Sequence, residues 1–140
     1  MANTALNTQP IYTASGDTQW TLSAATANTT KDLTSGTIYT AFTASSTGGY
    51  VQRIRFKPLG TNVATVGRVW INNGSANTTA ANNTYWDDIS LPATTVSEVS
   101  AQPTFELPLN IALPANYRIF VTLGTAVAAG YHITTIGGKY

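Results

Sequence analysis

Between Phe105 and Leu113 the chain reads Phe-Glu-Leu-Pro-Leu-Asn-Ile-Ala-Leu, with Phe105, Leu107, Leu109, Ile111 and Leu113 at every second position. A sustained alternation of period two fits a strand with one face buried; in a helix the apolar positions recur every three or four residues. Pro108 lies inside the run and has no N–H to give a neighbour. The strand is therefore expected at a sheet edge, or interrupted midway.

The same period recurs along the chain. In 18–24, Trp20, Leu22 and Ala24 alternate with Gln19, Thr21 and Ser23. In 37–44, Ile38 and Phe42 are expected on one face and Tyr39 on the other. In 50–57, Ile54 and Phe56 point inward, and Arg53, Arg55 and Lys57 outward. In 64–71, Val69 and Ile71 take the buried face and leave Arg68 and Trp70 outside. Further strands are expected over 85–91, closed by Pro92, over 117–123, and over 129–136. Turn signals such as Gly48-Gly49, Pro58-Leu-Gly60, Asn73-Gly74 and Pro114-Ala-Asn116 separate them. About eight strands with no helical period predict an all-β, single-domain antiparallel β-sandwich, jelly-roll-like, with two sheets of four. Residues 1–17 are polar and aperiodic and read as a flexible N-terminal arm; 18–140 form the sandwich.

Composition narrows the function. The chain has 140 residues, of which 43% are hydrophobic and only 9% charged. An average domain carries about 25% charge. So sparse a set leaves solvation to Thr, Ser, Asn and Gln, as suits a chain that lives inside an assembly or a secreted polar domain. A formal net charge of +1 argues against a dedicated nucleic-acid binder. With no cysteine there is neither a disulfide framework nor thiolate chemistry. The first residues lack a basic and then apolar export signal, and no stretch has the length of a membrane helix, so synthesis in a cytoplasm and no membrane partner are expected.

The catalytic inventory is thin. His132 is the single histidine and alternates with Tyr131 and Ile133, as a surface histidine on a strand does. Asp87 and Asp88 are adjacent, so they project to opposite faces and form no carboxylate dyad. Gly-x-Ser-x-Gly does not occur, and neither Gly48-Gly49 nor Gly137-Gly138 opens a helix that would hold a phosphate. No enzyme, cofactor or metal site is expected.

What remains is surface. If 50–57 and 64–71 pair as a ribbon, Arg53, Arg55, Lys57 and Arg68 share one outer face with Trp70. Tryptophan and arginine together are favoured at interface centres. This set is the expected partner-binding surface. Tyr85 and Trp86, beside the Asn-rich loop 72–84, are the alternative: a stacking surface for a glycan. Sequons at Asn28, Asn73, Asn77 and Asn82 read as by-products of the Asn/Thr-rich composition.

Gly67-Arg-Val-Trp-Ile-Asn-Asn-Gly74 and Leu113-Pro-Ala-Asn-Tyr-Arg-Ile-Phe-Val-Thr-Leu-Gly124 carry a resemblance over a modest part of the chain. They resemble the small Thr/Ala/Asn-rich β-sandwich virion proteins of tailed bacteriophages. The resemblance implies a capsid decoration (cement) protein on the capsid exterior, often a homotrimer that clamps neighbouring capsomers of the major capsid protein. No catalytic residue is carried over. A tail- or fibre-associated module that binds a host glycan is the alternative.

Overall fold

The computed structural model describes residues 15–140 of the chain, and side chains from residue 24 onward. The expected arm over 1–17 falls outside the described residues as far as 14. Its last three residues, from Ser15, already belong to a strand.

Eight strands are described: β1 (Ser15–Ala24), β2 (Tyr39–Thr43), β3 (Gly49–Pro58), β4 (Thr65–Asn72), β5 (Asn83–Leu91), β6 (Phe105–Leu113), β7 (Arg118–Leu123) and β8 (Tyr131–Lys139). A single 3-10 turn, Ala80–Asn82, precedes β5. The strands form two four-stranded sheets, β1-β8-β3-β6 and β2-β7-β4-β5, and every neighbouring pair is antiparallel.

The order follows from one long hairpin. β1 pairs with β8, β2 with β7, β3 with β6 and β4 with β5, so the loop between β4 and β5 is the hairpin's tip. Rolling that hairpin up brings β8 beside β3 and β7 beside β4. This is a jelly roll, as expected. Pro108 lies on the edge strand β6, where its missing donor costs no ladder bond to a further strand.

The main core lies between the sheets. Phe42, Val51, Ile54, Phe56, Val69, Ile119, Val121, Leu123, Tyr131 and Ile133 are fully buried there. The alternation holds on β3, where Ile54 and Phe56 face inward and Arg53, Arg55 and Lys57 outward. A bulge at Gln52 lets Val51 face inward too, although it lies an odd number of residues from Ile54. Opposite it stands Gly137, where a Cβ would come 2.2 Å from the Tyr50 carbonyl oxygen. Only glycine lets the bulged strand pass that close.

β2 departs from the simple alternation. A register shift between Thr40 and Phe42 flips the face, so Phe42 joins the main core while Ile38 packs on the opposite side of the sheet. There Ile38 meets a second apolar cluster of Leu33, Trp70 and Phe120 on the outer face of the second sheet. The loop between β1 and β2 makes this cluster possible by lying across that face. Leu33 is its fully buried anchor, held at a left-handed φ of 64°.

Two buried asparagines fix the loops by replacing missing backbone partners. Asn28 donates through Nδ2 to the carbonyls of Ser35 and Thr37 and accepts from Thr30 N at its Oδ1. Asn62 accepts from the backbone N–H groups of Ala129 and Gly130 and donates to the Gly130 carbonyl, all within 2.8–3.0 Å.

Candidate functional site

The outer face of β3 carries Arg53, Arg55 and Lys57 at every second position, as the alternation dictates. β6 supplies Glu106 directly opposite Arg55. Arg55 donates through Nε (2.9 Å) and lies within 2.8 Å through Nη2, both on Glu106 Oε1. Arg53 Nε lies 3.4 Å from the other oxygen, Oε2, close enough for ion pairing but without a hydrogen bond. Arg53 Nη1 donates to Gln52 Oε1 at 2.7 Å. Lys57 Nζ donates to the Gln102 carbonyl (2.8 Å) and to Thr104 Oγ1 (3.3 Å). On the other side of β3, His132 of β8 stands opposite Lys57, and Thr134 opposite Arg55. Among the described side chains this face holds three cations around one carboxylate. The Arg55 and Glu106 side chains are 44% and 36% exposed, so water screens the pairs and leaves the surplus charge readable from outside.

Two expected members are elsewhere. β3 and β4 do not pair; the connection through Leu59 and Gly60 crosses from one sheet to the other, so the two-stranded ribbon does not form. Arg68 therefore lies on the far sheet, where Nη1 donates to the Asn28 carbonyl at 3.2 Å. Trp70 does point to the outer face of its own sheet, but the Leu33 loop covers it and leaves it 1% exposed. Its Nε1 donates to Thr122 Oγ1 at 3.1 Å, which satisfies the buried indole. Trp70 is a core residue of the second cluster, not a partner-binding one.

Tyr85 and Trp86 are 44% and 47% exposed on the edge strand β5. They do not make one platform. A register shift opposite Val69 and Trp70 inserts Trp86 as an extra residue. Tyr85 stays on the outer face, edge-on to Trp70 with ring centroids 4.7 Å apart, and its hydroxyl donates to Asp88 Oδ2 at 2.6 Å. Burial, then the Asp88 hydrogen bond and charge, raise its pKa above the ordinary tyrosine value. Trp86 instead lines an open apolar groove between the edge strands β5 and β6, with Ile71, Ile111, Leu113, Pro114 and Tyr117. Asp87 and Asp88 alternate as expected, opposite Val69 and Arg68.

The Asn-rich loop beside them spends its amides on itself and on the Leu33 loop. Asn72 Nδ2 donates to Asn83 Oδ1 (2.8 Å), Asn73 Nδ2 to Asn82 Oδ1 (3.1 Å), Asn77 Nδ2 to the Leu33 carbonyl (3.1 Å) and Asn83 Nδ2 to the Asp32 carbonyl (3.0 Å). Arg118 Nη2 ties down the Gly74 carbonyl. The loop is thereby stitched to the Leu33 loop.

Sequence reasoning missed Glu106, the group that organises the cationic face. Its outward position was visible between Phe105 and Leu107, but the pairing of β6 with β3 was not.

The fold and these surfaces define a jelly-roll sandwich with one cationic sheet face. Comparison with known proteins finds no matching family model, no matching curated protein and no matching solved structure. The functional reading therefore rests on the chemistry of the surfaces.

Proposed function

We propose that the chain is a non-enzymatic structural virion protein that decorates and stabilises a phage capsid. It attaches to acidic surface of the major capsid protein through Arg53, Arg55 and Lys57 and clamps neighbouring capsomers as a homotrimer. The observation that carries this reading is the excess of cations among the described side chains of the outer sheet face: three to one carboxylate, on a chain otherwise poor in charge. The likeness of 67–74 and 113–124 to small β-sandwich virion proteins of tailed phages, read from the sequence alone, motivates the choice of a capsid. Arg68 and Trp70 are not part of the attachment surface.

The test is occupancy of purified phage capsids by the Arg53→Gln/Arg55→Gln/Lys57→Gln variant. Attachment is expected to fall, and the gap from the natural chain to widen at low salt, because exposed charge pairs are screened. Unchanged occupancy at every ionic strength rejects this face. Light scattering on the free protein tests the trimer.

A second reading, host-glycan binding, is favoured by the exposed Tyr85 and Trp86 rings, with the Asp88 carboxylate beside the first. Sugars stack on such rings and hydrogen-bond to such carboxylates. Since the two rings part to different faces of β5, Trp86→Ala and Tyr85→Ala should affect a glycan array separately, and no signal for the natural chain ends this reading.

A further inference from the structure

Glu106 occupies an unusual position for a surface carboxylate. Two guanidinium groups, two residues apart on β3, converge on it: Arg55 by a hydrogen bond from Nε and an ion contact from Nη2, both on Oε1, and Arg53 at 3.4 Å from Oε2. Arg53 Nε is buried and makes no hydrogen bond, although Oε2 is near. Neither Arg55 Nη1 nor Arg53 Nη2 hydrogen-bonds to a described residue. The cradle is thus only partly used by its own carboxylate. Guanidinium groups match carboxylates through paired, planar donors, which a point charge such as lysine does not offer.

We propose that the Arg53–Arg55 cradle is a recognition site for a carboxylate on a partner protein, and that Glu106 is its intramolecular competitor. This rests on the reading that the cationic face is the docking face. An incoming Asp or Glu takes the cradle as Glu106, on an edge strand and 36% exposed, turns out to water. The resident carboxylate sets a threshold: an isolated acidic side chain gains little by replacing it, whereas an acidic cluster also engages Lys57 and the remaining guanidinium donors. Phosphate backbones fit less well, because a dedicated nucleic-acid binder carries a strongly basic balance and the net charge of the chain is only +1.

The test compares Glu106→Gln with Asp32→Asn, which adds the same net charge on the loop covering the other sheet. The probe is a short oligoglutamate peptide, with duplex DNA as the competing anion, at low ionic strength. Glu106→Gln is expected to bind the peptide roughly threefold more tightly, the scale of one exposed ion pair. Asp32→Asn should change nothing, and adding Arg55→Gln to Glu106→Gln should abolish the gain. Equal gains from Glu106→Gln and Asp32→Asn overturn the proposal, as does no gain from Glu106→Gln. A gain confined to DNA overturns the choice of a carboxylate. If the peptide results hold while the triple-neutralised variant still decorates capsids fully, the docking reading fails and the cradle stands.

Discussion

Asn62 shows how much one side chain can carry in a protein with few charges. Its amide closes three backbone groups of the loop before β8, and it is 3% exposed. Removing it strands those groups away from water, so Asn62→Ala should cost about 2–4 kcal/mol in urea unfolding. Asn62→Asp keeps both acceptor bonds but loses the donor to the Gly130 carbonyl, and it too should destabilise at neutral pH. Tyr131 gives a pH signature. Its hydroxyl is buried near Thr94 without a hydrogen bond, and burial raises its pKa above 10.0. The folded state therefore disfavours tyrosinate. Stability from this group is fully present below the unfolded tyrosine value, near 10, and is lost as pH rises through that value towards the folded one. Tyr131→Phe should be neutral near about pH 8 and should flatten the alkaline fall in urea midpoint by about pH 11; an unchanged fall would assign it to another group. At this scale the sequence told which way Ile54, Phe56 and Arg53 point. It misplaced Trp70 because alternation reports which side of a strand a residue takes, and is silent on what covers that side. The one available sign was Leu33, a lone aliphatic residue in a polar, turn-rich stretch.

Three of the four edge strands carry features that work against pairing with another sheet. β6 combines Pro108, Glu106 and a positive-φ residue, Asn110 at 51°, beside an irregularity in its pairing with β3. β5 carries Asp87, Asp88 and the inserted Trp86, and β2 is only five residues long. Prolines, charges, bulges and short strands all discourage edge-to-edge association. Asn110 tolerates the left-handed region because its short polar side chain costs little there; a β-branched residue does not. Asn110→Val should lose about 1–2 kcal/mol in urea unfolding, and Asn110→Gly should not. Comparable midpoints for the two would show that the backbone there relaxes. The position of Pro108 at an edge was legible because the missing donor has few homes. The face flip within β2 was not, since a bulge changes pairing without changing the composition of the strand.

For the molecule as a whole, strand number and class were legible, but neighbours were not: periodicity assigns a face to each strand and says nothing of its partner. That gap produced the ribbon of Arg53, Arg55, Lys57 and Arg68, which the crossing between sheets splits in two. The same rolled hairpin has a consequence for how the protein is made. β8, the last of the described strands in chain order, lies between β1 and β3 in the finished sheet. Only β4 and β5 join neighbours in both chain and space, so most pairing waits on distant segments and folding should take milliseconds to seconds. A nascent chain stopped before Tyr131 leaves the first and third strands with an empty lane between them. Ribosome-bound chains halted there should be open to protease, and extension of the chain past Lys139 should close them in one cooperative step.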